Sequence, residues 1–200
     1  MERNFFLINK EGRILSIFLA LVFVGAVALD QVTKAHAQKS LLVYSDPTNL
    51  DFFQGKSYPV GSVGKDSPDT SFWVNLKWQY SRNRGAAFSM LSELRDSVRV
   101  PFFYGVTVLA VIVIAFYLRS TPFHHHFTRV GLIMILSGAV GNFLDRLQHG
   151  YVIDFVDVDW NILGWQHDFA IFNVADVCIN VGLIFILLDM LIHRKEASSK

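Results

Sequence analysis

Residues 100–118, VPFFYGVTVLAVIVIAFYL, hold no charged side chain over about nineteen positions, the length a helix needs to cross a hydrocarbon core of roughly 30 Å. No other feature limits the chain so strongly, because in lipid every backbone N–H and C=O must be bonded within its own segment. Three more runs obey the same rule. ILSIFLALVFVGAVAL follows a basic head, MERNFFLINKEGR, and continues past Asp30 into helix-compatible QVTKAHAQ, which predicts a span over 14–37. Ala26-Val27-Ala28 mimics the cleavage site of a secretory signal peptide, but the run is long for one and does not stop there, so an uncleaved first span is expected. Spans over 130–147 and 173–192 complete the set. With 52% hydrophobic residues and a mean hydropathy of +0.36, the composition is that of a small polytopic membrane protein. A formal net charge of +1 gives no reason to expect nucleic acid as a partner.

Between the spans the pattern changes. Residues 38–70 hold three of the five prolines among Gly, Ser and Asp, and are expected to form an exposed loop without strong periodicity. Residues 71–81 alternate strictly, Phe72, Val74, Leu76, Trp78 and Tyr80 against Trp73, Asn75, Lys77, Gln79 and Ser81, the signature of a half-buried strand. Asn83-Arg84-Gly85 then supplies turn chemistry. An even number of spans leaves both termini on one side. The basic head, the loop RSTPFHHHFTR and the tail HRK fall there together, so the positive-inside rule makes that side cytoplasmic and turns 38–99 and 148–172 outward.

The polar residues of the apolar segments carry the chemistry. SGAVGNFLDRLQHGYVIDFVDVDWNILGWQHDFAIFNVADVCIN, residues 137–180, puts Asp145, Asp154 and Asp176 at a bilayer boundary, where an unpaired charge costs roughly 3 kcal/mol or more. Asp154 and Asp176 both fall at the outer boundary. Two carboxylates held close in a poorly solvated site share one proton, leaving an acid and a base to act on a water between them. That is what peptide hydrolysis by an aspartic dyad needs; the bland alternative is that each caps an element end. Asn173, Asp176 and Asn180 share one helix face, as do Asn142 and Arg146, and Arg146 has Asp145 as a neighbour to pair with. Ser137 and Gly141 form a small-xxx-small pair suited to close helix approach. Asp30 and Lys34, at i and i+4, read as a local ion pair at the outer end of the first span. Consecutive histidines diverge in regular structure, so His124-His125-His126 is expected to be a solvated basic loop rather than a metal site. Asp189, roughly 20 Å along the helix from Asp176, is out of reach of the site and is expected to meet His193 one turn on. Cys178 would need a histidine base to act as a nucleophile, and neither His149 nor His167 has diagnostic spacing.

In chain order, DQVTK at 30–34, NRGAAFS at 83–89, GAVGNFLDR at 138–146, VIDF at 152–155 and FNVADVCI at 172–179 resemble the five motifs of the lipoprotein signal peptidases, or signal peptidase II. The resemblance covers roughly residues 14–192, with 38–70 unmatched. Ser137 stands where that family often has glycine and Val177 where it has a small hydroxyl residue. The resemblance implies an aspartic endopeptidase of the bacterial inner membrane. Such an enzyme cuts the signal peptide from a prolipoprotein just before a cysteine that carries diacylglycerol. It further implies Asp154 and Asp176 as the catalytic pair. Asn83, Asn142 and Arg146 are then the residues that shape the site and meet substrate or a peptide antibiotic such as globomycin, with Asp30, Lys34, Asp145 and Asn173 in support.

The expected architecture is an all-α membrane protein, one domain over 1–200 of four transmembrane helices with a small periplasmic β-sheet platform at the membrane surface. The lipid of the substrate would lie in the bilayer and its peptide between the third and fourth helices, with no metal or organic cofactor required. A small transporter or proton channel would instead spread its carboxylates across membrane depth, and a non-catalytic scaffold would use its polar residues as helix glue. Inhibition by globomycin separates the enzyme from both.

Overall fold

A computed structural model describes residues 10–46, 48–49, 52–64, 72–85 and 95–198. Among the described residues, four helices are long and apolar enough to cross a membrane: α1 (Lys10–Leu41), α2 (Asp96–Ser120), α3 (His126–His149) and α4 (Val174–Ser198). α3 is the central one, packing on α1, α2 and α4. The outward faces are bare aliphatic surface, with Leu21 and Val24 on α1, Leu109 and Ile112 on α2 and Leu183 and Leu187 on α4 all exposed. Such a surface is stable only against lipid.

Where two helices meet, the sequence supplies glycine. A Cβ placed on Gly131 would lie 2.5 Å from the carbonyl oxygen of Gly182, and one on Gly138 would lie 2.3 Å from that of Ala175, so α3 and α4 touch backbone to backbone. The contact runs through Gly131 and Gly138. Ser137 is instead buried with its hydroxyl on the Met134 carbonyl, 2.8 Å away. Gly141 serves α1, since a Cβ there would stand 2.5 Å from Asp30 Oδ2.

Strands β1 (Leu42–Ser45) and β2 (Phe53–Gly55) form a two-stranded antiparallel pair. Next comes a four-stranded antiparallel sheet in the order β3 (Ser57–Val63), β4 (Phe72–Asn83), β5 (Val152–Ile162), β6 (Trp165–Asp168). The expectation of an exposed loop without periodicity over 38–70 is therefore corrected as to structure: α1 extends to Leu41, and β1, β2 and the exposed β3 lie between it and Val63. β4 is a strand as expected, but its burial does not follow the expected alternation, since Phe72 and Leu76 are exposed and Asn75 is buried. Its register with β5 slips between Trp78 and Ser81, so Gln79 and Tyr80 bulge opposite a single residue, and the strand continues to Asn83.

Bundle and sheet are joined at one end by a small apolar core of Ala37, Leu41, Tyr80, Tyr151, Ile153 and Phe155. α3 stops at Gly150, whose φ of 78° is the left-handed helix cap and whose N–H donates to the Arg146 carbonyl at 3.0 Å. The chain turns there into β5 and carries Asp154 back over the helix ends. An isolated antiparallel bridge, Val156 to Phe172, then fixes the residue before Asn173 beside β5.

Candidate active site

That bridge brings Asp154, Asn173 and Asp176 together. Asn173 is the N-cap of α4 and Asp176 is its third helical residue, and they form a reciprocal cap: Asp176 N donates to Asn173 Oδ1 at 3.0 Å and Asn173 N donates to Asp176 Oδ2 at 3.2 Å. The amide of the same Asn173 donates to Asp154 Oδ1 at 2.6 Å. One fully buried asparagine thus holds both carboxylates. Asn142, on α3, donates to Asp176 Oδ1 at 2.9 Å. Asp176 caps its helix with one oxygen and turns the other toward Asn142, so the capping and the site readings of this residue describe one arrangement.

Asp154 is 2% exposed, and burial above all, then the neighbouring negative charge of Asp176, pushes its carboxyl up to about 7, against the pull of hydrogen bonds from Asn83 and Asn173. At neutral pH the site can therefore hold a proton on Asp154 while Asp176 stands a hydrogen-bond network away. An acid and an acceptor together can polarise a carbonyl and deprotonate a water.

Beneath the pair lies a second layer of charge. Lys34 is almost fully buried, and its ammonium meets Asp30 Oδ2 at 2.9 Å, Asp145 Oδ2 at 3.0 Å and Asn142 Oδ1 at 2.9 Å, which uses all three of its protons. The i, i+4 pair on α1 is real, and it belongs to a junction of three helices. Asp30 Oδ1 accepts from Ala175 N at 2.8 Å, placing an anion on the first turn of α4. Asp145 Oδ2 accepts from Ile153 N at 2.9 Å, which anchors the start of β5. A run of contacts thus leads from α1 through Lys34 and Asn142 to Asp176.

Arg146 does not pair with its neighbour Asp145. Its guanidinium lies 4.2 Å over the Phe103 ring and donates to the carbonyl oxygens of Gly85 at 2.7 Å and Asn142 at 3.2 Å. It ties the end of β4 to α3, because Asp145 is already committed to Lys34. Asn83 closes β4, bonds Asp154 and accepts from Gly85 N at 3.0 Å. Residues 86–89 of NRGAAFS lie outside the described residues. Asn180 turns away and donates to its own helix at the Asp176 carbonyl, 2.8 Å distant.

Cys178 is buried against Ser137, while His149 stacks on Tyr151 and His167 on Trp160, so neither histidine serves it as a base. Gln31 escaped the sequence reading. Its amide bridges Asp145 Oδ1 at 3.0 Å and the Gly141 carbonyl at 3.2 Å, and its only signal was its place inside DQVTK.

Comparison with known proteins gives the family. The chain is 38% identical over 180 residues to the lipoprotein signal peptidase of Geobacter sulfurreducens, covering 90% of this chain and 94% of that one. It is 35% identical over 185 residues to that of Symbiobacterium thermophilum, covering 92% and 99%. Two solved structures of a bacterial membrane enzyme, obtained by the in meso method, superpose with TM-scores of 0.64 and 0.63 at 30% identity, covering 92% and 87% of this chain and 91% and 92% of theirs. The family described as Signal peptidase (SPase) II matches residues 21–192, and to that family this chain belongs.

Proposed function

We propose that the chain is an aspartic endopeptidase that removes the signal peptide from diacylglyceryl-modified prolipoproteins, cutting before the lipidated cysteine, with Asp154 and Asp176 as its catalytic pair. The observation that carries this reading is the single buried Asn173 bonded to both carboxylates, one of which keeps its proton up to about pH 7.

The steps follow from that asymmetry. Asp176 accepts a proton from water as the water oxygen attacks the scissile carbonyl, and Asp154 gives its proton to the carbonyl oxygen, forming a neutral tetrahedral diol. As the C–N bond breaks, Asp154 recovers that proton and Asp176 passes the other to the leaving cysteine nitrogen. Both groups end as they began, with no covalent intermediate. Asn142 and Asn173 keep the two carboxyls oriented, and the buried Lys34 offsets the negative charge behind them. Asn83 and Arg146 border the substrate path from the β4 side.

Placement follows the charge pattern. The protein lies in the bacterial inner membrane as one membrane-embedded domain, both termini cytoplasmic and the site at the periplasmic face, with globomycin binding in place of substrate. The test is cleavage of a diacylglyceryl prolipopeptide in detergent. Asp154→Asn and Asp176→Asn should each lower the rate by at least about 10²-fold. Near-normal turnover in either variant removes that residue from the chemistry.

A further inference from the structure

The opposite end of the bundle holds a polar cluster that the peptidase chemistry leaves unused. His124 and His125 stand in the turn before α3, and His193 stands near the end of α4. The expectation that neighbouring histidines diverge fails here because this stretch is a turn and not regular structure. Ring centroids lie 4.5 Å apart for His124 and His125, 4.0 Å for His125 and His193, and 6.0 Å for His124 and His193. One ring nitrogen from each lies within 4.8 Å of the other two.

Asp189, only 2% exposed, stands behind the rings. Its Oδ2 accepts from Thr128 Oγ1 at 2.7 Å and lies 2.6 Å from His125 Nδ1 and 3.5 Å from His193 Nδ1, while the Asp189 carbonyl lies 2.9 Å from His193 Nδ1. Both Nδ1 atoms therefore face acceptors, so a neutral ring that donates through Nδ1 offers its Nε2 lone pair as a ligand. A carboxylate that orients histidines from behind is the outer layer a metal site requires.

We infer that His124, His125 and His193 form a binding site for a borderline divalent transition metal, zinc by its ligand set, with water completing a tetrahedron. Neutral imidazoles select zinc, cobalt or nickel over magnesium and calcium, which take oxygen ligands. At a metal–nitrogen distance of about 2.0–2.1 Å the ligand nitrogens sit roughly 3.4 Å apart. One nitrogen of each ring already lies within 4.8 Å of the others, so side-chain rotation closes the cluster, and His124, the exposed member, has room to swing. A cavity of about 790 Å³ bordered by His125, Thr128, Asp189 and His193 gives the ion a way in. Bound there, the metal pins the turn between α2 and α3 to α4, roughly 20 Å from Asp176. Its effect falls on stability rather than on the chemistry of the pair.

The test uses the full chain in detergent, purified without a polyhistidine tag and stripped with chelator. Zinc titrated calorimetrically should bind once per chain and raise the thermal midpoint, and cobalt should give the intense visible bands of a four-coordinate ion. His125→Gln and His193→Gln should each weaken zinc binding at least tenfold and abolish the cobalt spectrum. Asp189→Asn should weaken binding by about 10- to 100-fold. His126→Gln, in the same loop but outside the cluster, should bind like the parent. Melting of each variant without metal, at the parent's midpoint, shows that it is folded. Absence of zinc binding to the parent, or equal binding by the His125→Gln and His193→Gln variants, overturns the assignment.

Discussion

Lys34 is the residue on which the buried charge depends. Two carboxylates, Asp30 and Asp145, face its one ammonium out of reach of water. Lys34→Met would strand both, and losing one partner of a buried ion pair costs about 3–5 kcal/mol. A melt in detergent should show the loss as a sharply lower midpoint; an unchanged one would mean that water already reaches the pair. Asp154 sets a second residue-scale outcome. Its carboxyl is raised from an ordinary value near 3.8 to about 7, so folded protein holds a proton there that unfolded chain releases. The resulting stabilisation is complete below pH about 4 and is lost as pH rises through about 7. The same proton is the proposed acid, so kcat/KM should fall along an alkaline limb near pH 7, a value belonging to the coupled pair. A rate that climbs steadily from pH 6 to 9 would remove Asp154 from that role. At this scale the residue types were legible, because charges in apolar segments stand out. Their partners were not: nothing local to Asp145 reveals that Lys34, far away in the chain, has claimed it and left Arg146 to Phe103.

At the scale of elements, the helices were legible from apolar length and β4 from its alternation. The pairing of α3 with α4 was not, since its closest contacts run through Gly131 and Gly138, seven residues apart, while Gly141 of the expected small-residue pair meets Asp30 on α1. β1, β2 and β3 were hidden for another reason. β3 is exposed along its whole length and contains Pro59 and Gly61, so it has no buried face to impose a period and exists because β4 pairs with it. The bulge after Trp78 shifts the register of β4 itself, next to the strand position that pairs with Asp154. Helix packing yields a clean test. In Gly138→Ala the new methyl would stand 2.3 Å from the Ala175 carbonyl oxygen and 2.7 Å from Ile179, so α4 must shift, at about 1–3 kcal/mol. Because α4 carries Asp176, activity should fall with stability. Gly105→Ala, with nothing within 4 Å of its added Cβ, should change neither by more than about 1 kcal/mol. Equal tolerance of both would contradict the backbone contact between α3 and α4.

At the scale of the molecule, the fold separates two polar ends. The sheet and the two aspartates gather where α1 and α3 finish and α4 begins, while the α2–α3 turn, Asp189 and His193 gather at the other. Sequence indicated the separation, since three basic stretches share one side and the carboxylates the other. It could not indicate how β5 folds back, because the single bridge from Val156 to Phe172 that brings Asn173 to Asp154 joins residues with no pattern of their own. The two ends should face different compartments, and the chain is suited to a direct measurement because its only cysteine, Cys178, is buried. Gln166→Cys places a thiol on exposed β6, and His126→Cys places one on the exposed start of α3. In intact cells with the outer membrane permeabilised, a membrane-impermeant maleimide should label the first and spare the second until the inner membrane is opened. The reverse order would turn the protein over and put the aspartates on the cytoplasmic side, where an exported prolipoprotein does not present its cleavage site. Labelling of both without opening would mean that the four helices do not form the barrier their length and apolar surface require.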